Sequence, residues 1–203
     1  MELHDAIWEG VPLDATPEHF AMRRSFLLAH VAPDEVVVDL GCGAGEFSAA
    51  LVQAGARPIG VDVAAEALRR ARARLPEGDF RLWAAGGPLP VEDAVADVVW
   101  AGEVIEHVAD VAPWLSEVRR VLRPGGTLLV TTPHHGSGTL LRLAFSRRAF
   151  ADHFEPRSDH VRFYSPSTLR ALLADFGFGV EEMALRGGAP GFRSVICVVA
   201  RRG

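Results

Sequence analysis

Three groups of residues in this sequence have types and spacings suited to chemistry. In the first, Asp39 precedes Gly41, Gly43 and Gly45, and a second acid, Asp62, follows. Glycine admits positive φ and lets a ligand approach the backbone where a Cβ would clash. An acid about twenty residues beyond such a turn can accept hydrogen bonds from both hydroxyls of a ribose. The spacing is G-x-G-x-G, not the G-x-G-x-x-G of a dinucleotide site. Asp39 would repel a pyrophosphate and suit a ligand carrying positive charge. The second group is Glu103, Glu106 and His107. On a helix, residues three and four apart share a face. Two carboxylates and an imidazole can hold a divalent cation, with His160 as a fourth ligand. The third group is the histidines, among them His134, His135 and His153. Imidazole titrates near neutral pH and can take the proton of a hydroxyl. His134, directly after Pro133, is the first candidate base, and His135 is its rival.

These residues need a frame. Val36, Val37 and Val38 form a short β-branched run that reads as a buried strand. The stretch EFSAALVQAG after the glycines has apolar residues at helical spacing and a stop signal at Gly55. RPIGVDV is a second strand, AAEALRRARARL an amphipathic helix, GDFRLWAA a third strand and ADVVWAG a fourth. EVIEHV is expected to continue as helix, and WLSEVRRVL forms another behind Pro113. RPGG is a turn and TLLVTTP a fifth strand. Such alternation implies a parallel sheet with helices on both faces, a doubly wound α/β fold. Ligands of these sheets bind outside the carboxyl ends of the strands, where Asp62, Glu103 and His134 all fall.

The flanks complete the frame. TPEHFAMRRSFLLAHV reads as a covering helix capped by Thr16, with Pro17 in its first position. After Pro133 the periodicity is lost, and 134–163 is expected to form the acceptor pocket and lid with the N-terminal 1–33. SPSTLRALLADFGF is a capped helix, and the tail is a hairpin. One domain spanning 1–203 is expected.

Composition narrows the function. The net charge of -5 disfavours non-specific nucleic-acid binding. No apolar run is long enough to span a bilayer, and the N-terminus lacks the apolar core of a signal peptide. Cys42 and Cys197 stand far apart and read as free buried thiols. A reducing, cytoplasmic setting is the expectation.

The blocks VVVDLGCGAG, GVDVAAEALRRAR, DVVWAGEVIEHV and RVLRPGGTLLVTTP together resemble the class I S-adenosylmethionine-dependent methyltransferases. The likeness runs from about residue 33 to 185 and rests on four blocks in order. It implies a Rossmann-like seven-stranded sheet whose last strand is antiparallel. It implies that Asp39, Gly41, Cys42 and Gly43 line the methionine portion and that Gly45 brings the helix N-terminus close. Asp62 would hold the ribose, and Val63 would pack on the adenine. Ala101, Gly102 and Glu103 would lie beside the sulfonium. Relatives often place an acid after the third strand, on the adenine amino group. Here that stretch is WAAGGPLP, with Ala84 and Ala85 at the place, so packing and backbone groups must serve. The Glu-x-x-Glu-His element with a later histidine resembles that of the ubiquinone-pathway O-methyltransferases and of the small-RNA 3′-terminal 2′-O-methyltransferases. The expected function is O-methylation of a small molecule. The rivals are a metal-dependent RNA methyltransferase and a non-catalytic S-adenosylmethionine-binding protein.

Overall fold

Seven strands form one sheet in the order β3-β2-β1-β4-β5-β7-β6. They are β1 (Val36–Leu40), β2 (Arg57–Asp62), β3 (Asp79–Leu82), β4 (Ala96–Gly102), β5 (Leu122–Pro133), β6 (Phe178–Arg186) and β7 (Val195–Arg202). The computed structural model describes residues 3–84, 86–155, 160–188 and 194–203. β1 pairs in parallel with both β2 and β4, and β4 with β5. β7 is antiparallel to both its neighbours, β5 and β6. The expected fold is therefore the observed one.

Period-two alternation sorts the strand side chains between the two faces. Val38, Leu40, Val99, Ala101, Leu128 and Val130 pack with α5 (Val111–Val121) and α8 (Pro166–Asp175). Val37, Val98, Trp100 and Leu129 pack with α2 (Phe20–Leu28) and α3 (Glu46–Gln53). Both faces are thus dry, which is why the strands read as continuous apolar runs. α4 (Ala65–Arg74) buries Leu68 and Ala71 beside Phe80 of β3.

Several elements differ from the sequence reading. A helix α1 (Leu3–Gly10) precedes the expected N-terminal helix. α2 begins only at Phe20, after His19 in the left-handed region (φ 52), so Thr16 is not its cap. EVIEHV is not an α-helix. Glu103 leaves β4 at φ 57, and only a single 3-10 turn, Ile105–His107, follows. The RPGG segment is carried within β5 as a bulge, with pairing to β4 jumping from Leu122 to Thr127. Among its described residues the 134–163 stretch holds two helices, α6 (Ser137–Phe145) and α7 (Arg147–His153).

Candidate active site

The strand order reverses at β1, whose neighbours lead to opposite edges of the sheet. A crevice opens at the carboxyl end of such a switch point, and the glycine turn sits there. Gly41, Gly43 and Gly45 all have positive φ (72, 56 and 80°). Their bare Cα atoms serve different neighbours. A Cβ on Gly41 would strike Val104, one on Gly43 would come 3.0 Å from the Trp8 ring, and one on Gly45 would meet Ala71 at 3.2 Å. Gly45 therefore packs the turn on α4.

Two cavities flank the turn and share Gly41. The larger, about 870 Å³, is lined by Asp62, Val63, Trp83, Val104 and His107 among others. The smaller, about 290 Å³, lies under α1 and is lined by Trp8, Arg23, Cys42, Gly43 and Gly102. Asp62 is fixed at the rim between strand and turn. Its Oδ2 accepts from the Gly43 amide and its Oδ1 from the Ala64 amide, both at 2.9 Å. Trp83 donates its indole N–H to the Gly87 carbonyl at 2.9 Å and stands as one apolar wall. Ala85 lies outside the described residues. Ala101 is fully buried on β4 and reaches neither cavity wall.

Asp39, expected to line the methionine portion, lies buried at the end of β1 and lines neither cavity wall. It shares the Val37 face of β1, towards α3, and accepts a 2.5 Å hydrogen bond from the Ser48 hydroxyl. Burial pushes its pKa up to about 7. Burial likewise raises Glu103, and raises Glu106 to about 8, aided by the Glu103 charge. Glu106 accepts from the Thr132 hydroxyl through Oε2 at 2.9 Å, while its Oε1 has no hydrogen-bond partner among the described residues and lies 3.9 Å from His107 Nε2.

Arg23 sits amid these acids and was not singled out by the sequence reading. It is 4% exposed, stacks on the Phe47 ring at 4.9 Å and lines the smaller cavity. Gly102 makes room for it, since a Cβ there would lie 2.5 Å from its Nη2. Its Nε has no hydrogen-bond partner among the described residues. Burial lowers its pKa, while Glu103, Glu106 and Asp39 oppose that shift.

The candidate metal ligands come together in part. Ligand atoms of Glu106, His107 and His160 lie within 4.8 Å of one another, and Glu103 is outside that group. The cause is tertiary. The amides of Val161 and Arg162 both donate to the Glu106 carbonyl, at 2.9 and 3.0 Å, folding the 160–164 segment over the 3-10 turn. His134 follows β5 and bridges to Tyr164. His135 lies beside His153 and Phe163, at ring separations of 4.7 and 5.2 Å. Burial depresses the pKa of both His134 and His135, so both are neutral, proton-accepting imidazoles near pH 7.

Comparison with known proteins gives this geometry its context. The profile of a methyltransferase domain family matches residues 38–130. A ubiquinone biosynthesis O-methyltransferase of Burkholderia pseudomallei is 30% identical over 169 residues, covering 80% of this chain and 72% of that protein. The chain belongs to the class I S-adenosylmethionine-dependent methyltransferases. A second methyltransferase relative, named a probable S-adenosylmethionine-dependent methyltransferase in Mycolicibacterium smegmatis, is 37% identical over 157 residues. That match covers 76% of this chain but only 56% of the relative, so the chain spans little more than half of it. Among solved structures, a Haloferax volcanii methyltransferase in complex with the Trm112 activator superposes with a TM-score of 0.76. It is 22% identical, with 99% of this chain and 98% of that one covered. This last likeness is one of fold.

Proposed function

We propose that the chain transfers the methyl group of S-adenosylmethionine to a hydroxyl oxygen of a small molecule. The observation that carries the reading is the pair of cavities that meet at the glycine turn, the larger lined by Asp62 and Val63 and the smaller by Arg23 and bare glycines. S-adenosylmethionine, a nucleoside joined to an amino acid, complements that pair, with the nucleoside in the larger cavity and the amino acid in the smaller. Arg23 is the group for the carboxylate, and the bare Gly41, Gly43 and Gly102 let the ligand lie against the backbone, with Cys42 between them. Asp62 takes the ribose hydroxyls, and Val63 with Trp83 walls the adenine.

The bound cofactor supplies a methyl group on a positively charged sulfur, a leaving group already activated. The chain itself aligns the acceptor, excludes water and removes the hydroxyl proton. His134 is the first choice as base, because it stands directly at the end of β5 as an uncharged imidazole. His135 is the alternative. The net charge of -5 weighs against an RNA acceptor.

A second reading rests on Glu106. Its Oε1, without a hydrogen-bond partner among the described residues, together with the converging His107 and His160, suits a divalent cation. Such a cation would lower the pKa of an acceptor hydroxyl.

The test is methyl transfer from labelled S-adenosylmethionine to panels of phenols, hydroxy acids, carboxylic acids and amines, with and without EDTA. Label on a phenol or alcohol oxygen is expected. Label only on amines overturns the hydroxyl assignment. Full activity in EDTA removes the cation reading.

A further inference from the structure

The hairpin of α6 and α7 carries its apolar side chains outward. Leu140, Leu141, Phe145, Phe150, Phe154 and Phe163 are 42–84% exposed, with Phe145 the extreme. In the same helices only Leu143 is buried. The rings are contiguous, with Phe150 and Phe154 4.7 Å apart and Phe154 and Phe163 5.6 Å apart. An exposed apolar patch of this kind marks an interaction surface.

The charges around it select the partner. From His134 to Ala151 the chain has no Asp or Glu, while Arg142, Arg147 and Arg148 are all exposed. The first acid beyond, Asp152, meets Arg148 only at 3.9 Å. Counted over both helices and on to Glu155, three arginines stand against two acids, Asp152 and Glu155, so the hairpin is net positive by one on a chain of net charge -5. Short helices with aromatic and leucine side chains on one side and arginines beside them lie well in a lipid interface, and anionic headgroups draw the arginines. A second copy fits less well. An isologous contact sets the same patch on both sides, bringing two sets of these arginines face to face.

We propose that the α6–α7 hairpin is a membrane-surface docking site, which seats Phe145, Leu141 and Phe150 among the acyl chains of an anionic bilayer and Arg142, Arg147 and Arg148 among its phosphates. The rest of the acidic surface is repelled by such a bilayer, so docking has one orientation, hairpin down. The proposal stands apart from the methyl-transfer reading, since none of these residues lines the two cavities at the glycine turn.

The experiment is flotation of the full chain with vesicles of phosphatidylcholine alone or with phosphatidylglycerol added. The chain is expected to float with the anionic vesicles and stay behind with the neutral ones. Neutralising two arginines, Arg142→Gln with Arg147→Gln, should weaken partition by roughly tenfold or more. Leu141→Ser with Phe145→Ser should abolish it, and both variants should keep the wild-type circular dichroism because these side chains are exposed. Three results overturn the proposal: no flotation with anionic vesicles, flotation indifferent to both variants, or a concentration-dependent dimer that Phe145→Ser dissolves. The last would make the patch a self-interface.

Discussion

The amide of Gly43 donates a 2.9 Å hydrogen bond to Oδ2 of Asp62, tying the turn after β1 to the end of β2. One carboxylate thus shapes the glycine turn and faces the larger cavity. Its second oxygen is held by the Ala64 amide, so the side chain is set in place before any ligand arrives.

Gly43→Val should therefore disturb more than ligand access. Its φ of 56° strains a β-branched residue, and its side chain must displace Trp8. The unliganded protein should lose about 1–3 kcal/mol of stability in urea unfolding, and S-adenosylhomocysteine binding should vanish. Undiminished binding would mean that the turn does not carry the ligand.

Arg23→Met should keep the stacking on Phe47 while removing the charge. S-adenosylhomocysteine affinity should fall by roughly 1.5–3 kcal/mol, the scale for a lost charged hydrogen bond. Calorimetry reads this directly, and an unchanged Kd would free Arg23 from any ligand role.

The buried acids make the unliganded chain sensitive to pH. The pKa of Glu106 is raised to about 8 and that of Asp39 to about 7, so the folded state holds protons that the unfolded state releases. Such groups favour folding below their unfolded pKa, and the contribution is lost as pH rises through the folded value. Thermal stability should fall between pH 5 and 8. Glu106→Gln should restore on the order of 2 kcal/mol at pH 8 and little at pH 5. A variant equally displaced at both pH values would show that Glu106 is ionised throughout.

His134→Ala should lower kcat by roughly 10²–10⁴-fold with cofactor affinity kept. The wild-type rate should fall on the acid side below the usual imidazole range, because burial depresses the His134 pKa and the base acts only when unprotonated. A small loss here and a large one in His135→Ala would move the role to His135.

Much of this was legible in the sequence, for local reasons. Val36–Leu40 and the glycines announce their strand and turn, and Asp62 ends the next strand at the right distance. The partner of Asp39 was not legible, because an acid before the glycines gives no sign of which helix it will meet. Strand alternation puts it on the Val37 side, against Ser48. Arg23 was hidden in a helix whose adjacent Arg24 makes the pair look like a solvated face. Only packing on Phe47 and Trp100 shows which of the two is buried. Glu103, Glu106 and His107 matched helical spacing, yet Glu103 turns out of β4 at positive φ, and no α-helix forms. The approach of His160 depends on amides fifty-five and fifty-six positions beyond Glu106 bonding to its carbonyl, contacts that no local pattern encodes.

The most direct test is calorimetric titration of S-adenosylmethionine into the wild-type chain and into Asp62→Ala. One bound ligand per chain is expected in the wild type, and a loss of about 1–3 kcal/mol in the variant. The absence of binding to the folded wild type, or equal affinity in the two proteins, would contradict the assignment of the glycine turn and Asp62 as the cofactor site.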